Sequence, residues 1–551
     1  MKASDLFVAC LEQEGVEYVF GVPGEENLDL IESLRTSGIT LIVTRHEQHA
    51  AFMAATYGRL TGRAGVCLST LGPGATNLLT GIAYAQLGGM PLFAITGQKP
   101  IRDNTQGGFQ LIDIVHTFAP QTKWNDSITD GAVIPRSIRH AFKVAEAERP
   151  GATHLELPED IAGEEVGDMR PQGSIRTRPP IADESAIDSA AEAIASARQP
   201  ILIYSAGTNR ETCAQSLARF VEKTGIYAVG TQMGKGVLAE DHEQSLFCMG
   251  IHQHDYVHTA IDEADLVITV GYSPIEYPPY VWNPKGDKRI IDIDYDTTTP
   301  DEFYSPEQEL LGLISSSLDR LRSRLIEYDF GSPRFARLRE YVSEKLHIGH
   351  AAVDYPPSPA YIVDQVRLTL DRYDIISLDN GIYKIWFARL YPAYIHNTVL
   401  LDNALASMGA GLGAAMAARL VHPDRQVLAV CGDGGFEMNS QDLETAVRLQ
   451  LDMVVLIVRD CGYGFIRWKQ QSAGFTDFGM GFGNPDFVAL AQAYGANGIR
   501  HTGEQTLSTV LTTAFEQPGV TLVECAVNYD SNSELSNEYH VPPKVLDHSS
   551  D

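Results

Sequence analysis

Three doubly wound, parallel-sheet α/β domains are what this sequence predicts, and three observations lead there. Its 551 residues exceed one ordinary core and suggest units of about 150 to 200 residues. Apolar runs of strand length alternate with helical stretches, the pattern of a parallel sheet covered on both faces. Two polar breaks bearing proline and glycine, GEEVGDMRPQGSIRTRPPIADES and GHAAVDYPPSPAY, interrupt that alternation.

Taken in order, residues 1–170 carry YVFGV, TLIVTRH, GVCLST, PLFAITG and THLELP as strands. Residues 185–330 carry PILIYSAG, YAVGT, DLVITVGY and RIIDID, and end near the charged helix SSSLDRLRSRLIEY. Residues 355–530 carry IISLDNG, TVLLDN, QVLAVCGDGG, MVVLIVRD and TLVECAV. The tail, 531–551, is polar with short apolar patches, so it is expected to cover the surface or a neighbour rather than build a core.

Composition narrows the function. No apolar segment approaches the roughly 20 residues that span a bilayer. The opening residues place Leu6, Cys10, Leu11 and Val16 at helical spacing rather than in a signal peptide, so the expected location is cytoplasmic. The seven cysteines are scattered and form no CxxC, against both a disulfide framework and a zinc site. With 71 acidic and 42 basic residues and a net charge of −29, the chain is a poor match for nucleic acid or an anionic membrane. An anion must then be bound locally, by a metal or by backbone N–H groups.

The stretch AVCGDGGFEM offers such a place. Asp433 follows an apolar strand, at the sheet edge where ligands of open parallel sheets bind. Gly432, Gly434 and Gly435 let a phosphate approach the backbone. The next strand ends at Asp460, one strand–helix–strand unit further on. Two carboxylates beside a phosphate loop need a cation, and magnesium suits oxygen ligands shared with phosphates. The simpler alternative is that Asp433 caps the following helix and Asp460 makes a turn.

GDG, the interval to Asp460, and Gly462 two positions beyond it together resemble the cofactor signature of thiamine-diphosphate-dependent enzymes. FGVPGEENLDL, RHEQHAAFMAATYGRLTG, STLGPGATNLLTGIAYA, PLFAITGQ, DNALASMGAGLGAAMAA and GDGGFEMNSQDLETAVR resemble that family in the same order. The resemblance implies Mg²⁺ held by Asp433, Asp460 and the carbonyl of Gly462, gripping the diphosphate of thiamine diphosphate. It implies that Glu47 meets N1′ of the cofactor's aminopyrimidine and that Met408 lies under the cofactor. Further cofactor contacts are implied at Pro23, Gly24, Gly72, Asn77, Gly381, Gly432, Gly434, Gly435, Tyr463 and Gly464. Gly409, Gly411 and Gly413 form GxGxG, which reads as tight helix packing rather than a dinucleotide fingerprint.

Within the family the chain looks most like the acetolactate synthase group, closest to its catabolic, flavin-free type. YSPIEY stands where flavin-binding relatives carry arginines, which argues against FAD. Gln110 and Lys123 match polar residues that the synthases place near substrate and cofactor, and are candidate catalytic residues. The implied chemistry is decarboxylation of a 2-keto acid such as pyruvate, with ligation of the remaining two-carbon unit to a second 2-keto acid, giving 2-acetolactate. A homodimer or homotetramer with active sites between chains is also implied. Leu405, Ala406, Ser407 and Met408 replace the catabolic Gln-Gln-Thr-Met, and Trp468 is offset by one from the biosynthetic specificity tryptophan, which leaves the acceptor open. Two alternatives stand beside this reading. One is a decarboxylase releasing aldehyde, for which His252 and His254 are the candidate proton donors; the other is a catalytically silent, cofactor-binding homologue.

Overall fold

The computed structural model describes residues 1–102, 108–173, 179–209, 213–250, 254–347, 355–536 and 539–546. His252 lies outside them. Three six-stranded sheets follow one another along the chain, every strand pair parallel. The first contains β1 (Tyr18–Gly21), β2 (Thr40–Val43), β3 (Gly65–Ser69), β4 (Leu92–Gln98), β5 (Trp124–Ser127) and β6 (Ala152–Pro158) in the order β2-β1-β3-β4-β6-β5. The second contains β7 (Pro200–Tyr204), β8 (Tyr227–Gly230), β9 (Ser245–Cys248), β10 (Leu266–Val270), β11 (Ile290–Asp294) and β12 (Gln308–Leu311), ordered β12-β11-β10-β7-β8-β9. The third contains β13 (Ile375–Leu378), β14 (Val399–Leu400), β15 (Val427–Gly432), β16 (Met453–Arg459), β17 (Asn497–Arg500) and β18 (Val520–Ala526), ordered β14-β13-β15-β16-β18-β17.

Four strands escape a reading of the sequence, namely β5, β9, β12 and β17, and all four are sheet edges. An edge strand is short and meets water along one side, so its apolar run is diluted. In β17 no residue is fully buried, whereas every residue of the central strands β4 and β18 is.

The first and third sheets share one hydrophobic core through two small-residue helices. In Glu47–Thr61, His46 caps the start by accepting from the N–H of Gln48, and Gly62 ends the helix in the left-handed region at φ 68°. Its Ala50, Ala51, Ala54 and Ala55 share a buried cluster with Ala415, Ala417 and Ala418 of Gly411–Val421, the helix packed on it. A methyl group at Gly413 would come within 3.2 Å of His49 and 3.3 Å of Phe52, and one at Gly411 within 2.6 Å of Asp379. Helix packing thus accounts for Gly413, whereas Gly411 clears Asp379 and Gly409, at φ 87°, turns the chain ahead of the helix.

The tail departs from expectation. Val541 and Leu546 are buried in the core of the second sheet beside Trp282 and Phe335, and Arg337 donates to the Leu546 carbonyl at 2.6 Å. A few apolar residues suffice because helix Pro333–Leu346 offers a groove for the short helix Pro543–Leu546.

Candidate active site

The carboxyl ends of β15 and β16 place Asp433 and Asp460 together. Asp433 is the first residue of a short helix, Asp433–Glu437, rather than a residue preceding one, and the expected longer helix is broken into Asp433–Glu437, a 3₁₀ turn Ser440–Asp442 and Leu443–Arg448. The Asp433 carboxylate is buried and held by three donors. Gly434 N–H meets Oδ1 at 2.9 Å, while Cys461 N–H and Asn484 Nδ2 each meet Oδ2 at 2.7 Å. The Cys461 bond ties the two strand-end loops to each other. Asn484 carries no signal in the sequence, because it reaches this loop from far along the chain.

Asp460 is less well served. Its Oδ2 is buried without a hydrogen-bond partner, and the nearest cation, Arg467, stands 3.7 Å away while bonding Asp477 at 2.9 Å. Burial, and then the neighbouring Asp433 charge, push its carboxyl up to about 7. An uncompensated carboxylate beside a satisfied one is the donor set that a hard divalent cation completes, so the residues fit the expected metal. Among the described residues no three His, Cys, Asp or Glu side chains converge to hold an ion. The two carboxylates alone do not complete a cation's shell, and Asn484 Oδ1 beside them is also buried without a partner.

Around this pair the glycines keep space open. A methyl group at Gly434 would come within 2.9 Å of Phe482 and 3.0 Å of Tyr463; at Gly432 within 2.9 Å of Tyr383; at Gly464 within 2.6 Å of Asp460 Oδ2. Gly381, Met408, Tyr463 and Gly464 line the same cavity as Asp433, Asp460 and Gly462, a space of about 490 Å³. Asp379, fully buried and pushed up to about 6 by its burial, accepts from the N–H groups of Asn380 and Gly409 and so pins the turn that carries Met408.

Glu47 stands elsewhere. It opens helix Glu47–Thr61, is buried, and accepts from Asn77 Nδ2 at 2.9 Å, with Gly74 close against its other oxygen. Asn77 therefore orients Glu47. Pro23 and Gly24 follow β1, and Gly72 precedes helix Pro73–Gly88, at the same carboxyl edge of the first sheet. None of these residues lines the cavity at the third sheet.

The two candidate catalytic residues are not brought to Glu47 alike. The backbone carbonyl of Gln110 lies against Gly72, and its side chain is exposed on a residue with φ 57°. Lys123 is a correction. It precedes β5, at the amino edge of the sheet, and its ammonium bonds the carbonyls of Ala147 and Arg149 at 2.7 Å. A lysine clasping two carbonyls at the opposite sheet edge is a loop tie, which its sequence neighbourhood does not reveal. Trp468 turns inward against Ile382 and Ile385, and Phe465 and Ile466 face the cavity instead. His254 bonds Asp262 at 2.9 Å and the Tyr539 carbonyl at 3.1 Å, tying down the tail.

The cavity has a second polar part that sequence patterns miss. Buried Lys384 donates to Asn380 Oδ1, to Asn403 Oδ1 at 2.7 Å and to the Asp402 carbonyl at 2.9 Å, and burial lowers its ammonium to about 8. From the second sheet come Gln232 and Glu276. Glu276 accepts from Ser205, Thr231 and the Met233 N–H, across the ends of β7 and β8, and burial raises its carboxyl.

Comparison with known proteins agrees with this geometry. Three family models match in order: the N-terminal TPP binding domain of thiamine pyrophosphate enzymes at residues 1–117, their central domain at 187–321 and their C-terminal TPP binding domain at 379–525. The acetolactate synthase of Bacillus subtilis is 31% identical, with 98% of this chain and 95% of that protein covered. A catabolic acetolactate synthase of Raoultella terrigena is 33% identical over 98% of this chain and 97% of its own length. The isozyme 2 large subunit of Escherichia coli acetolactate synthase is 28% identical over 98% of both chains. Three parallel sheets in this order, with their glycine-cleared strand ends, belong to the thiamine pyrophosphate enzyme family, and this chain is a member of its acetolactate synthase group.

Proposed function

We propose that this protein is a thiamine-diphosphate- and Mg²⁺-dependent carboligase that decarboxylates pyruvate and joins the remaining two-carbon unit to a second 2-keto acid, giving 2-acetolactate. The observation that carries the reading is the Asp433–Asp460 pair, with one buried carboxylate oxygen lacking a partner beside Gly432, Gly434 and Gly464, which cannot take a side chain without displacing a neighbour. Asp433, Asp460 and the Gly462 carbonyl would hold Mg²⁺, and the glycine loop would admit the diphosphate. When bound, the thiazolium supplies the electron sink that loss of CO₂ requires.

The chain's own residues do the rest. Glu47, oriented by Asn77 and withdrawn from water, holds a proton at N1′ of the aminopyrimidine. Met408, on the turn pinned by Asp379, would pack against the bound cofactor. Because Glu47 and the metal pair lie on different sheets and do not share the cavity, the working site joins the first sheet of one chain to the third sheet of another. At least a homodimer follows from this reading. A cytoplasmic location is consistent with the described helices, none of which is long and apolar enough to cross a membrane.

No histidine lines the cavity among the described residues. His254, a candidate donor for the aldehyde-releasing alternative, instead bonds Asp262 and the Tyr539 carbonyl, which supports ligation. Purified protein supplied with thiamine diphosphate, Mg²⁺ and pyruvate should form acetolactate; acetaldehyde as the main product would establish the decarboxylase instead.

A further inference from the structure

We infer that the Gln232 side-chain amide is the donor that receives the substrate's carboxylate, and that Lys384 sets its orientation through Asn403. The inference rests on the 2-keto acid reading above and assigns a specificity residue within it. An ammonium only donates, so Asn403 must turn its oxygen toward Lys384 and its NH₂ outward. That NH₂ donates to Gln232 Oε1 at 2.8 Å. Gln232 must therefore turn its own oxygen toward Asn403, which leaves Nε2 as its free end.

Gln232 is 4% exposed and lines the cavity, and Nε2 has no acceptor among the described residues. Two N–H donors, fixed in direction by a lysine two hydrogen bonds away, thus face the space where substrate must lie. The backbone around them is set as well. Met233 N–H bonds Glu276, and Met233 Sδ accepts from Asn403 N–H at 3.5 Å, so the turn Gln232–Gly234 is held against the third sheet.

Charge selects the ligand. Lys384 is the only Lys or Arg among the described residues lining the cavity, whereas the metal end presents Asp433 and Asp460. The nearby Glu276 carboxyl is engaged by Ser205, Thr231 and Met233. A small anion is accordingly favoured at the Gln232 end, and a 2-keto acid brings one carboxylate beside its reacting carbonyl. Leu405, Ala406 and Ser407 offer no side-chain amide in place of the lost glutamines, so the second sheet supplies it.

The test uses thiamine-loaded, Mg²⁺-loaded protein and two probes, monomethyl acetylphosphonate, which keeps pyruvate's negative charge but loses no CO₂, and neutral methyl pyruvate. Gln232→Leu should weaken the anionic probe by about 10-fold or more, the worth of a hydrogen bond to a charge, while the neutral probe and thiamine diphosphate bind as before. Asn403→Asp, which still accepts from Lys384 but cannot donate to Gln232, should do the same more mildly; Lys384→Arg should keep affinity that Lys384→Met loses. Unchanged affinity for the anion in Gln232→Leu, equal loss of both probes, or no affinity in the wild type would overturn the assignment. A wild type that binds the anion but forms no acetolactate would remove the carboligase reading and leave Gln232 in place.

Discussion

The first and third sheets have the same strand order, position for position, yet they end in different chemistry. Directly after β3 and β4 the chain presents Thr70 and Lys99; directly after β15 and β16, their counterparts, it presents Asp433 and Asp460. Conversely, the helix after β2 opens with Glu47, while the helix after β14 opens with Gly411. The two helices are counterparts too, and they pack on each other. The lesson is that topology fixes where a ligand meets the sheet, at the carboxyl ends, while the residues placed there decide which part of the ligand is met.

Four experiments can break or sharpen this contrast. Glu47→Gln should cut exchange of the cofactor's C2 proton by about 1,000-fold, with cofactor affinity nearly unchanged because glutamine can still accept from Asn77. Proton exchange followed by NMR decides it, and wild-type rates would dissolve the division of labour between the sheets. Asp433→Ala should lower thiamine diphosphate affinity by roughly 100-fold, since it removes the proposed Mg²⁺ ligand and strands the Cys461 N–H and Asn484 donors. Fluorescence titration with and without Mg²⁺ would expose tight, metal-independent binding as the contrary result.

A smaller effect tests the shared core. Gly413→Val adds volume against His49 and Phe52 and should cost about 1–3 kcal/mol. If the two sheets are one cooperative unit, thermal unfolding monitored by hydrogen exchange will show both losing protection together; loss in the third sheet alone would separate them.

The mildest effect concerns pH. His154, fully buried in β6 and bonded to Thr96 of the neighbouring β4, is pushed down to about 3 by its burial. A base with a depressed folded pKa leaves stability intact above its unfolded value. That stability is then lost as pH falls from about 6.5 toward 3, because the unfolded chain takes up the proton first. His49, also lowered by burial at the join between the two sheets, acts in the same direction. Denaturant midpoints measured between pH 8 and 4 should therefore decline on acidification, with a shallower slope in His154→Gln. Equal slopes would show that the histidine does not contribute.

Much of this was legible in the linear text, for a local reason. The central strands announce themselves because both faces are buried, so their apolar runs are unbroken. Asp433, its glycines and Asp460 are legible because one strand–helix–strand unit carries them all. Lys123 misled for the opposite reason: its carbonyl partners at Ala147 and Arg149 lie 24 and 26 residues away, and nothing near TKWN records them. Of the six edge strands, β2 and β14 were legible, while β5, β9, β12 and β17 were not, being four residues long and broken by polar or half-exposed positions.

What the sequence by itself determined, then, is the architecture of parallel sheets and the cofactor end of the site, since short-range spacing specifies both. Only the tertiary structure decided the substrate end. Gln232 and Asn403 are 171 residues apart, and their bond exists because the second sheet packs its strand-end turn against the third. Hydrogen-bond direction there descends from one buried ammonium, and a donor's direction is a property of three-dimensional packing that no local pattern encodes.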